Sequence, residues 1–164
     1  MDTSNRTIKW IENLAEQELL ISAGERTSID ICTTKDEVLS VESSTFLREL
    51  FHHFSYLVKL FNLRVSQDLL KIEVKKEEGG ETFNLSRNGL KLIVGRSRTA
   101  MVQLSCVRVG SREQKPTVMF SGVVEAKFGA FHDVEWHFLG SAITGEQLAR
   151  HYLTEFIQGS RVSS

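Results

Sequence analysis

The stretch from Ser44 to Asn62 constrains this chain more than any other. Leu47, Leu50, Phe51, Phe54, Leu57, Val58 and Phe61 recur at i, i+3, i+4 and i+7, the spacing that lines one face of an α-helix. A stripe that rich in phenylalanine needs a large apolar cover, and a sheet is the simplest one. The opposite side is polar, with His52 beside Arg48, Ser55 and Lys59, and His53 on the flank. Neighbouring helix positions point about 100° apart, so "FHHF" reads as surface histidines rather than paired ligands.

Beyond this helix the period changes to two, the signature of half-buried strands. Leu70, Ile72 and Val74 alternate with Lys71, Glu73 and Lys75. "TFNLSRNGLKLIV" then reads as a hairpin whose Asn88-Gly89 pair suits a type I′ turn, which places Leu85 opposite Leu92 and Phe83 opposite Val94. Two further strands follow. Ala100, Val102, Leu104 and Cys106 form the inner face of one, and Val118, Phe120, Val124, Ala126 and Phe128 that of the other. "FHDVEWHF", Phe131 to Phe138, supplies the sixth.

The flanks complete the reading. Residues 4–22 carry Ile8, Ile11, Leu14, Ala15 and Leu19 at helical spacing, with Gly24 placed to end the helix. In "TSIDICTTKDEVLSVES", Ile29 and Ile31 alternate with polar residues, which predicts a short strand, with a small hairpin through "TKDE". Thr144-Gly145-Glu146-Gln147 fits a capping box that opens a last helix with Leu148, Ala149, Tyr152, Leu153 and Phe156 inside and Gly159 at its end.

The expectation is one α+β domain over residues 1–164. A curved, six-stranded antiparallel meander carries the long Phe-rich helix, an N-terminal helix and a C-terminal helix on one face. In element order alone this resembles the helix-grip architecture, in which a curved sheet wraps a helix. The resemblance implies an apolar cavity between the two.

Composition bounds the function class. With 41% hydrophobic and 25% charged residues the chain is globular rather than disordered. Its polar start and the lack of an apolar run near 18 residues predict neither signal peptide nor membrane span. Cys32 and Cys106 lie far apart in strand-like patterns, as expected of buried thiols in a reducing cytoplasm. The Asn84-Leu85-Ser86 sequon has no secretion signal to make it meaningful. The net charge of −1 hides an uneven distribution. Residues 1–50 hold five basic and ten acidic side chains, and residues 87–115 hold seven basic against one acidic.

Two candidate sites emerge. In "FHDVEWHF" the strand alternation puts Asp133, Glu135 and His137 on one face and His132, Val134, Trp136 and Phe138 on the other. A three-residue loop, Gly129 to Phe131, best fits the apolar pattern. It pairs Phe128 with His132, Ala126 with Val134, Val124 with Trp136 and Gly122 with Phe138, and it sets Lys127 against Asp133. The three outer residues span roughly 13 Å, too far for ligand bonds near 2 Å to one ion, so no metal and no cofactor is assigned. The inner candidates for a small apolar ligand are His132, Trp136, Phe120, Phe54 and Leu50. In a meander alternate turns share one end of the sheet, which gathers Arg87, Arg108, Arg112 and Lys115 as an anion-binding candidate. Arg96, Arg98 and Lys127 fall at the other end, and no aromatic residues are interleaved for base stacking.

No nucleophile elbow, P-loop, Cys-x-x-Cys or His-Glu-x-x-His pattern is present. The sequence therefore points to a cytoplasmic, non-catalytic binding or regulatory domain acting through a protein partner, self-association or a small apolar ligand. Nucleic-acid or anionic-ligand binding through the basic sheet end is the alternative, and an unrecognised enzyme the third reading. The acidic, amphipathic first helix is a candidate oligomer contact or a docking element for a partner.

Overall fold

From Glu25 to Glu78 the chain contains neither glycine nor proline, and nothing in that stretch breaks a helix. The computed structural model describes residues 3–22, 28–78, 80–110, 115–130 and 133–161, with side chains from Ile8 to Leu19 in the first helix and from Lys35 onward in the second. Helix α1 spans Thr3–Ser22. Helix α2 runs unbroken over Ser28–Arg64, 37 residues, so the short strand expected around Ile29 and Ile31 is helix instead.

The correction has a physical cause. Alternation over Ile29–Ile31 covers three positions only, whereas Leu39 and Ser43 extend the stripe of Leu47, Leu50 and Phe54 by i, i+4 steps. Tertiary bonds then fix the extension. The Ser43 hydroxyl lies within hydrogen-bond reach of both the Leu39 carbonyl (2.7 Å) and the Thr99 carbonyl (2.5 Å). Arg96 donates to the Ser40 carbonyl and to the Ser40 and Ser44 hydroxyls, and it pairs with Glu81 at 3.0 Å.

Among the described residues the sheet has seven antiparallel strands in sequential order and is not closed. They are β1 (Glu73–Lys76), β2 (Phe83–Arg87), β3 (Leu90–Arg98), β4 (Met101–Arg108), β5 (Thr117–Phe128), β6 (Val134–Phe138) and β7 (Ser141–Ala142). Helix α3, Gly145–Gly159, closes the fold. The β2–β3 hairpin has the expected register, Phe83 to Val94 and Leu85 to Leu92. Both Asn88 and Gly89 have positive φ, 51° and 76°, as a type I′ turn requires. The same geometry recurs at Leu139-Gly140, φ 51° and 82°, and creates the unanticipated seventh strand. Leucine seldom adopts positive φ, so its sequence carries no turn signal.

Two registers differ from expectation. Strand β6 meets β5 with Phe128 opposite Val134, Ala126 opposite Trp136 and Val124 opposite Phe138, a shift of two residues from the expected pairing. The Gly129 amide donates to the Asp133 carbonyl at 2.7 Å, which lengthens the loop. A shift of two preserves the faces, so Trp136 is buried as expected. In β5 a register shift opposite Cys106/Val107 turns Val118 outward, where it is 59% exposed. An extra residue in one strand reverses every later side chain.

The core lies between the sheet and α2 with α3. Phe46, Leu47, Leu50, Phe54 and Val58 of α2 and Leu148, Ala149, Tyr152, Leu153 and Phe156 of α3 are buried over Leu85, Leu92, Val94, Val102, Leu104 and Cys106. Burial raises the Cys106 thiol pKa to about 11, with the Arg108 charge opposing, so the thiol stays protonated. Thr144 forms the capping box with Gln147. No described residue of α1 belongs to this core.

Candidate functional site

Of the apolar-ligand candidates, Leu50 and Phe54 have no exposed surface. Trp136 stacks on Phe46, with ring centroids 4.1 Å apart and planes within 11°. Phe120 lies against Tyr152 at 6.0 Å, and Phe138 meets the same tyrosine edge-on at 5.8 Å. These rings pack against one another in the space between α2, α3 and the last strands, and neither described surface hollow is lined by any of the four candidates. His132 lies outside the described residues. On the outer face of β6, Glu135 Oε2 lies 3.2 Å from His137 Nε2. Among the described residues no group of three or more metal-ligating side chains converges.

The basic candidates separate. Arg87 and Arg108 both flank Leu90 at one end of the sheet, as the meander predicts, but Arg87 turns inward and is 7% exposed. Its guanidinium donates to the Ser160 hydroxyl (2.8 Å), the Leu70 carbonyl (3.1 Å) and the Ile157 carbonyl (2.7 Å), and it lies over the Phe61 ring at 5.6 Å. A cation there faces the last carbonyls of α3, the negative end of that helix. Burial, and second the Arg161 charge, lowers its pKa from the ordinary arginine value. Arg87 therefore ties α3 to the β1 side of the fold, while Arg108 and Lys115 are exposed. Arg112 lies outside the described residues.

Sequence reasoning missed two surface features. The first is the orientation of α1. Among its described side chains Trp10 and Gln17 are half-buried, while Ile8 (52%), Ile11 (51%), Leu14 (40%) and Leu19 (71%) are exposed, and Ala15 lies among them. At about 100° per residue the outward residues form one continuous stripe opposite Trp10 and Gln17. The apolar stripe of this helix therefore faces solvent rather than the sheet, and Trp10 and Gln17 are turned in.

The second is a groove of about 370 Å³ where β1, the edge of the sheet, passes α2. Val58 and Leu63 of α2 and Ile72 and Val74 of the strand side form its apolar walls, and Lys59 and Lys71 stand at its rim. The Asn62 side chain spans it at one end. It donates to the Ile72 carbonyl and accepts from the Ile72 amide, both at 2.9 Å, as a neighbouring strand would. A wider hollow of about 580 Å³ on the outer face of the sheet is lined by Arg98, Met101, Val123, Lys127, His137 and Leu139, among others.

No family model, curated protein or solved structure matches this chain. Among the described residues no helix is long and apolar enough to cross a membrane.

Proposed function

We propose that this chain is a non-catalytic interaction domain that self-associates through the outward face of α1. The observation that carries the proposal is the exposed stripe of Ile8, Ile11, Ala15 and Leu19. A contiguous apolar helix face left in water is stabilised by a partner surface, in proportion to the area it buries.

Charge favours a second copy as that partner, aligned antiparallel. Lys9, Glu12 and Glu16 lie along the same flank of the stripe and all are exposed, with Lys9 and Glu16 two helical turns apart and Glu12 nearest the stripe. An antiparallel copy sets Lys9 opposite Glu16 at two equivalent positions, whereas a parallel copy sets like against like. The helix has no acidic residue in its first turn and no basic residue in its last, so nothing within it offsets its dipole. An antiparallel neighbour does so. One helix pair buries less than a standard interface, so the association belongs to the weak class, with Kd on the order of micromolar.

Sedimentation velocity across a concentration series tests the reading. Lys9→Glu or Glu16→Lys alone weakens the dimer, and the two together restore it, because the reversed pair is again complementary. Ile11→Asp yields a monomer with unchanged far-UV circular dichroism. A wild-type chain that stays monomeric at concentrations of several hundred micromolar, far above the Kd expected for this class of interface, overturns the proposal.

A further inference from the structure

We infer that the groove between β1 and α2 is a docking site for an extended acidic peptide, which adds as a strand to the β1 edge. The site is separate from the α1 face and does not depend on self-association.

The backbone defines the kind of ligand. Glu77 N–H donates to the Thr82 carbonyl at 3.0 Å, continuing the β1–β2 ladder. Peptide groups alternate in direction along a strand. Residues 73, 75 and 77 therefore turn toward β2, and residues 72, 74 and 76 turn toward the open edge. The Asn62 bonds to both Ile72 groups agree with this alternation. Past Ile72, Val74 and Lys76 present an N–H and a C=O each on a side where no strand lies among the described residues. Such a row is completed by another extended backbone.

The side chains define its chemistry. A peptide paired with Val74 and Lys76 directs alternate side chains over the groove, where Val58, Leu63 and Val74 offer apolar contact. Lys59 and Lys71 line the same groove, and the one carboxylate that meets them, Asp68 on Lys71 at 3.1 Å, is itself almost fully exposed, so the complementary strand is apolar at one inward position and acidic at the next. A second copy of β1 does not meet this requirement, since Lys75 and Lys76 on each strand would be brought together. Asn62 blocks pairing beyond Ile72, which holds the ladder to about two residues and makes the site one for weak, reversible capture.

The other open edges are less suited. Residues Thr117–Val123 of β5 lie beyond the last β6 pair, but the register shift opposite Cys106/Val107 bends the strand there, and β7 has only two residues.

The test uses the full chain and three fluorescein-labelled octapeptides: one of valine, threonine and glutamate, one with lysine in place of glutamate, and one acidic but N-methylated at alternate backbone positions. The acidic peptide binds and shifts the Val74 and Lys76 amide resonances in nuclear magnetic resonance spectra, while the other two peptides bind at least about tenfold more weakly. Lys76→Pro removes an edge N–H without touching the β1–β2 ladder, and it weakens binding by a similar factor. Reversing the exposed Lys59 to glutamate does the same and leaves thermal unfolding unchanged. Equal binding of the N-methylated or lysine peptide, or shifts confined to residues outside β1 and α2, overturns the inference.

Discussion

Arg87 is the residue whose role changes most between sequence and structure. In the sequence it is one of seven basic side chains between residues 87 and 115, and a solvated turn charge is the natural reading. In the fold it is buried, with hydrogen bonds to Ser160, Leu70 and Ile157, partners up to 73 residues away along the chain. No local pattern encodes such a partner, because it exists only once α3 has docked. Replacing Arg87 with methionine fills similar volume but leaves two carbonyls and a hydroxyl without their donor. We expect Arg87→Met to cost about 2–4 kcal/mol, read as a lower urea midpoint at unchanged m-value. Arg87→Lys, which keeps the charge but lacks the planar fork, falls between it and wild type. Asn62 is a second residue of this kind: a polar position within the helix stripe whose amide serves as a short strand for Ile72.

Elements were legible wherever their signals are local. The capping box at Thr144, the type I′ turn at Asn88-Gly89 and the phenylalanine stripe of α2 each occupy a few adjacent residues, and each stands in the structure. The Thr144 hydroxyl accepts from the Gln147 amide at 3.2 Å. Thr144→Ala should therefore lower stability by about 1 kcal/mol while Thr144→Ser costs a few tenths at most, a difference measurable by thermal denaturation. Elements were misread where the deciding contact is distant. The upstream half of α2 is fixed by Arg96 and Thr99 from the sheet, and the β5–β6 loop by a bond between Gly129 and Asp133. Val134, Trp136 and Phe138 of the expected inner row of β6 face the core despite the register error, because the error was an even number of residues.

At the scale of the whole molecule, α2 explains the outline. Its 37 residues reach about 55 Å, against about 40 Å for the twelve-residue β5. Among its described side chains, from Lys35 onward, the first buried one is Ser43. The described part of α1 likewise adds nothing to the core. A chain lacking residues 1–22 should then unfold cooperatively within about 1 kcal/mol of the full chain, since surface segments away from the core carry little stability, and it should be monomeric. Urea titration and sedimentation of the same samples check both outcomes. The sequence by itself determined the fold class and most of the inward faces, Val118 excepted, because hydrophobic period and turn chemistry act between near neighbours. Only the tertiary structure decided which side of α1 meets water, where Arg87 ends up, and that a groove remains between β1 and α2. Each of these depends on which surfaces are already covered when an element docks, and no stretch of sequence records that.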